Sequence, residues 1–366
     1  MKTHLKRRQL LKGAAALGAA TASGSLMSPR RAHAAGEVNW MAWGGHVEAG
    51  GIAEFYDETG IRVNHIAMNS NASTFAKLKL SGVSQYDLIE ADGLWTLKYL
   101  EADMIEPIDL DSIPNVKANM YEQFKHIPDL VTSDGKMLMA PWGWNPTILV
   151  YNEDEVSEAP DSYEALLDPK YKGHVAFSDQ HEFMWPIAAF LLGYEDPFKM
   201  NDSQLEKAKE ILIKIKRNAP TITKGWNEQL RLFVEGTIWI GMSSPGRAYT
   251  VTANGGPKMG TNPPKEGYYG WIDGDMLVKD AANREDALKW INEIHSADYV
   301  ATNFLRLQRG CANRAGVEKL VAEGHEDIVK ANFMDQPEVA FNMKLIRAPE
   351  YPDKYAAAWN DVLAAT

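Results

Sequence analysis

Tryptophan and aspartate recur together where this sequence breaks regular structure. Trp43 closes an apolar run, 38–43, just before Gly44-Gly45. Asp92-Gly93-Leu94-Trp95 follows the segment 86–90, Trp142 and Trp144 lie in the Pro- and Gly-flanked stretch 140–146, and Trp271-Ile272-Asp273-Gly274-Asp275 forms a fourth cluster. A cation over a Trp face gains roughly 2 kcal/mol once desolvated. A buried ammonium also needs a carboxylate, because an unpaired buried charge costs several kcal/mol. Trp beside Asp is therefore the set a buried amine requires. Alternation along an extended segment puts Trp271 and Asp273 on one face. A lone Trp at a strand end serves a core just as well, so the neighbouring acid is what marks these clusters. They nominate Trp43, Asp92, Trp95, Trp144, Trp271 and Asp273 as ligand contacts.

Catalytic signatures are missing from the sequence. It has no G-x-x-x-x-G-K-[ST], no G-x-G-x-x-G after a strand and no G-x-S-x-G elbow. His46-Val47-Glu48 has the H-x-E form without a P-C-x-x-C partner, and His181-Glu182 lacks the second His of H-E-x-x-H. Both histidines are expected at the surface or the rim, without a metal. Cys311, the one cysteine, makes no internal disulfide and is expected to be an inert small residue. No cofactor is called for, and an exported hydrolase has no motif behind it.

The elements that must carry these residues alternate. Strands are predicted at 38–43, 62–66 and 86–90, with helices from Ile52 to Gly60, over 73–80 and over 94–100. The rhythm restarts with a strand at 174–177, an apolar helix over 182–192, and a helix opened by the capping box Ser203-Gln204-Leu205-Glu206. A strand at 237–242 and a helix capped at Asn283 follow. Such alternation predicts βαβ units and a mostly parallel sheet. Two α/β lobes are expected, joined by crossings near 140–152 and 268–275. In open α/β sheets ligands bind beyond the carboxyl ends of strands, and three of the clusters fall at such ends.

The 366 residues are 45% hydrophobic and 24% charged with 11 Trp, enough for packed cores. No apolar run reaches the roughly 18–20 residues of a membrane span. The first 34 residues hold seven basic residues and no acid: Arg7-Arg8-Gln9-Leu10-Leu11-Lys12, a weak Ala-rich stretch, Arg30-Arg31 and Ala32-His33-Ala34. This order predicts a twin-arginine export leader cut near Ala34. Subtracting those seven charges from the total of −11 leaves residues 35–366 at −18. So acidic a surface repels nucleic acid and favours cations.

Taken in order, 54–63, 75–79, 86–88, 171–173, 192–194, 268–273 and 287–292 resemble periplasmic solute-binding proteins of the spermidine/putrescine type, components of ABC importers. The resemblance spans nearly all of 37–366. It implies an α/β, two-lobe periplasmic-binding-protein fold with hinge crossings, type II-like, lobe 1 being 37–145 plus 273–316 and lobe 2 being 146–272 plus 317–366. It implies a monomer in the periplasm that hands a small amine to ABC permease subunits. Trp43 and Trp271 fall on the family's cage aromatics, and Asp273 on the acid that holds an amine. There are departures. The acids Asp179 and Glu182 are offset by one from the family's second-lobe pair, with Gln180 and Phe183 at the matched positions. Ser243-Ser244-Pro245-Gly246-Arg247 replaces a cage Trp, and Cys311 replaces a Tyr. Arg247 is either a carboxylate holder or an exposed helix-start residue. Three ligands stay open: a polyamine, a zwitterion such as 4-aminobutyrate held by Asp273 and Arg247, and ferric ion on Tyr268-Tyr269.

Overall fold

The computed structural model describes residues 36–366. The expected export leader lies outside the described residues. Ten strands run through the chain: β1 (Glu37–Trp43), β2 (Arg62–Met68), β3 (Leu88–Asp92), β4 (Ile105–Glu106), β5 (Ala140–Asn152), β6 (Ile240–Ser243), β7 (Met259–Asn262), β8 (Tyr268–Val278), β9 (Gly310–Cys311) and β10 (Met343–Leu345). The main path of pairing is β2-β1-β3-β8-β5-β6. β1 lies parallel to β2 and β3, joined by the helices Ala49–Thr59 and Asn71–Ser81, which is the expected βαβ rhythm.

The centre is different. β3–β8 and β8–β5 are antiparallel, so the sheet is mixed rather than mostly parallel. The cause is the long return strands. β5 pairs with β8 over 140–147, then with β6 and β7 over 148–152. Every residue of β5 is buried. A strand buried on both faces reads as a continuous apolar run, without the alternation that would show which way it runs.

Two large cores flank these strands. One gathers Trp40, Met41, Leu88, Ile89, Trp144, Ile272, Met276 and Trp290. The other gathers Leu149, Phe177, Trp185, Leu212, Ile240, Tyr269 and Trp359. A smaller core of Trp142, Phe304, Cys311, Val317 and Leu320 lies under the helices Ala297–Leu307 and Arg314–Ala322. No described helix is long and apolar enough to cross a membrane.

Several local expectations need correction. The segment 174–177 makes one isolated bridge, Val175 to Ile240, and no strand, and Ser178 just after it bridges to Thr223. The helix Asp202–Arg217 does carry a capping box, but its members are Asn201 and Gln204. Asn201 takes the Ser203 role because its side chain accepts the Gln204 N–H at 3.0 Å while the Gln204 carboxamide accepts the Asn201 N–H. Asn283 precedes the helix Arg284–Ile294 without a side-chain cap bond, because its carboxamide donates to Asp87 instead.

Candidate functional site

The carboxyl ends of β1 and β3 and the middle of β8 meet at one edge. Asp92 and Asp273 are register partners across β3 and β8, as are Glu90 and Asp275. Burial in this antiparallel pair comes with a charge problem. Glu90 and Asp275 are fully buried and Asp273 is 3% exposed.

Arg309, which sequence reasoning did not single out, answers part of it. Its Nη1 donates to Asp273 Oδ2 at 3.2 Å and to His46 Nε2 at 2.9 Å. His46 Nε2 therefore accepts, and its Nδ1–H donates to Glu90 Oε1, while Glu90 Oε2 accepts the Trp43 N–H at 3.0 Å. Burial, then the Arg309 charge, pushes the His46 imidazole down to about 3, in keeping with this neutral tautomer. His46, with 13% of its side chain exposed, thus links Arg309 to Glu90 in this network. The cause is the turn after β1, in which the His46 N–H donates to the Trp43 carbonyl and folds the ring back over the strand end.

Two glycines place Arg309. A Cβ on Gly310 would lie 2.1 Å from the Trp144 ring, so only glycine lets β9 pack on that face of β5. A Cβ on Gly246 would lie 1.8 Å from the Gln308 carbonyl, so the start of the helix Pro245–Ala253 presses directly on the chain before Arg309. This close approach brings Arg247 to the same pocket as Arg309.

Burial shifts these carboxyls toward their protonated forms. Burial raises Asp273 to about 6, opposed by the Arg309 charge. Glu90 is pushed up by burial, Asp92 well up by burial and then by Asp273, and Asp275 well up by burial and then by Glu90. Asp275 accepts the Trp40 indole N–H at 2.6 Å on Oδ1, while its Oδ2 has no partner among the described residues. Such an acid, with a folded pKa above its unfolded value of about 3.9, keeps a proton that the unfolded chain releases, so stability falls as pH rises from about 4 toward the folded value. Asp275→Asn keeps the Trp40 acceptor without the charge. Its stability relative to wild type should therefore be greater at pH 8 than at pH 5. Urea midpoints at both pH values test this, and parallel curves for the two proteins would refute it.

The nominated residues divide. Trp43, Asp92, Trp271 and Asp273 come to the sheet edge described above. Trp144 does not: it is fully buried in the core against Gly310, its neighbour in sheet pairing being Ile272. Trp95 packs on Phe75, ring centroids 5.6 Å apart, beneath the Lys98 ammonium at 4.2 Å. Asp179 and Glu182 flank the start of the helix His181–Leu191, and Glu182 has His181 at 4.0 Å. Arg247 is half-buried, its guanidinium 4.7 Å over the Trp226 ring, and burial lowers it to about 10. Cys311 is buried, with its thiol pushed up to about 12 by burial.

Tyr268 and Tyr269 lie on opposite faces of β8, as adjacent strand residues must. Their hydroxyls donate to the carbonyls of Val339 and Phe183, at 2.9 and 2.8 Å. Burial raises both phenols, Tyr268 to about 12, and the two hydroxyls, turned to opposite faces, do not converge on one ion. One group among the described residues, His46, Glu90 and Asp273, has the spacing of metal ligands. Arg309 already donates to two of its members, and that guanidinium supplies the cation a metal would otherwise bring.

Residues 51–323 match the model of a family described as bacterial extracellular solute-binding protein. The spermidine/putrescine-binding periplasmic protein of Escherichia coli K12 is 28% identical over 287 residues, 78% of each chain. The putrescine-binding periplasmic protein SpuD of Pseudomonas aeruginosa is 27% identical over 300 residues, 77% of this chain and 79% of that one. Among solved structures, the spermidine/putrescine substrate-binding protein PotD of Streptococcus pneumoniae superposes with a TM-score of 0.73 at 22% identity, over 90% of this chain and 97% of the other. That likeness shows the periplasmic-binding-protein fold.

Proposed function

The chain belongs to the bacterial extracellular solute-binding proteins, and from that premise we propose that it captures a small organic amine, of the kind its polyamine-binding relatives are named for, and delivers it to the permease of an ABC importer. The observation that carries this is the pairing of Asp92 with Asp273 at the edge that also holds Trp43 and Trp271. Arg309 bonds to Asp273, and among the described residues no cation pairs with Asp92. A ligand ammonium between Trp faces would supply that charge.

The rest of the reading follows the same premise. The protein works as a monomeric carrier outside the cytoplasm, with its leader removed near Ala34, and has no catalytic step of its own. The segments 37–145 plus 273–316 and 146–272 plus 317–366 act as the two lobes, with β5 and β8 as crossings.

Thermal unfolding tests the function directly. Ligand at 100 times Kd adds about 2.7 kcal/mol, so putrescine, spermidine or a related amine should raise the melting temperature clearly and perturb Trp fluorescence. A broad set of primary amines that leaves both unchanged would refute the proposal.

A further inference from the structure

Beside the acidic edge lies a pocket of about 240 Å³ with the opposite character. Asn145, Ser244, Arg247, Trp271, Arg306 and Arg309 line it, and none of its lining residues is a carboxylate. The three arginines are not equally committed. Arg306 donates to the carbonyls of Gly45 and Val47 and to Asn303 Oδ1. Arg309 is tied to His46 and Asp273 through Nη1, and its buried Nε has no partner among the described residues. The Arg247 guanidinium stacks on Trp226 and has neither a hydrogen bond nor an ion pair among the described residues; Arg309, of the same sign, lines the same pocket. A half-buried guanidinium held beside a second one is unfavourable unless an anion arrives. The helix Pro245–Ala253 adds to this, since its amino end and the positive end of its dipole face the same wall.

We propose that Arg247 is the binding site for a carboxylate carried by the ligand itself, so that the substrate class is an amine bearing a carboxylate at its far end, with its ammonium at Asp92 and Asp273. The inference rests on the organic-amine reading above and narrows it. Trp271 lines the pocket and sits two residues from Asp273 on the same face of β8, so one short chain laid along it reaches both charged ends. A diamine would place its second ammonium among three guanidinium groups, a repulsion that grows as water is excluded. The planar fork of Arg247 matches a carboxylate with two parallel hydrogen bonds.

The test is calorimetric titration of the purified protein with three matched series of four to six carbons: α,ω-diamines, ω-amino acids and dicarboxylates. The ω-amino acids should bind at least tenfold more tightly than the diamines of equal length. Arg247→Gln should weaken the best ω-amino acid by roughly 30-fold or more, the scale for losing one partner of a desolvated charge pair, and leave diamines unchanged or tighter. Arg247→Lys, which keeps the charge without the fork, should fall between, and it covers the case in which the glutamine variant does not fold. Tighter binding of diamines, indifferent to both substitutions, overturns the carboxylate site and leaves the amine reading standing. Binding of dicarboxylates alone overturns the amine reading while keeping the anion site. No binding by any series overturns both.

Discussion

Replacing Arg309 with methionine is expected to cost about 3–5 kcal/mol of folding stability, the usual consequence of removing one partner of a buried ion pair. The methionine retains the apolar stem, so the loss reports the charge. The loss should also depend on pH. Burial pushes Asp273 up to about 6 in the folded protein, against the pull of the Arg309 charge. Near pH 5 the carboxyl holds its proton with or without Arg309, and little pairing energy is at stake. Near pH 8 the wild type buries a paired carboxylate, whereas the variant must bury an unpaired one or hold a proton against the solvent. Urea denaturation at pH 5 and pH 8 should therefore give the larger loss at pH 8, and adding Asp273→Asn should recover part of it. Equal losses at the two pH values would show that Arg309 acts through packing alone.

The two tryptophans 144 and 271 should separate cleanly. Trp144 is fully buried, with the Gly310 backbone against its ring. Trp144→Ala is expected to cost about 3–5 kcal/mol of stability by leaving a cavity, with a smaller effect on the affinity of the folded fraction. Trp271 is only half-buried and lines the arginine pocket. Trp271→Ala should reverse the order, weakening ligand binding more than it lowers the melting temperature. Paired melting curves and titrations decide this, and a larger stability loss for Trp271 than for Trp144 would remove Trp271 from the binding surface.

The amino-terminal part of the fold was readable because its elements are local. β1, β2 and the helices that follow each of them show apolar spacing that depends only on residues a few positions apart. The capping box near 201–204 was readable to within two residues for the same reason, although three neighbouring polar side chains compete for the cap. The segment 174–177 misled because an apolar run of four fits a strand or a buried connection equally, and pairing partners, which no local pattern encodes, decide between them. The direction of β8 against β3 was hidden for a related cause: both strands are buried on both faces.

The candidate site divides along the same line. Residue types and spacing placed Trp271 and Asp273 on one face of one strand and set Trp43 and Asp92 at strand ends, while the family resemblance marked Arg247 as a departure with a choice of roles. They could not separate Trp144 from Trp271, since each is a Trp in an extended segment and burial depends on what packs above it. Nor could they find Arg309, which lies 36 residues from Asp273 and 263 from His46. Its position depends on Gly310 and Gly246 admitting close backbone contact. An arginine becomes the counter-ion of a buried acid only when the chain folds it within reach, and that proximity exists in three dimensions alone.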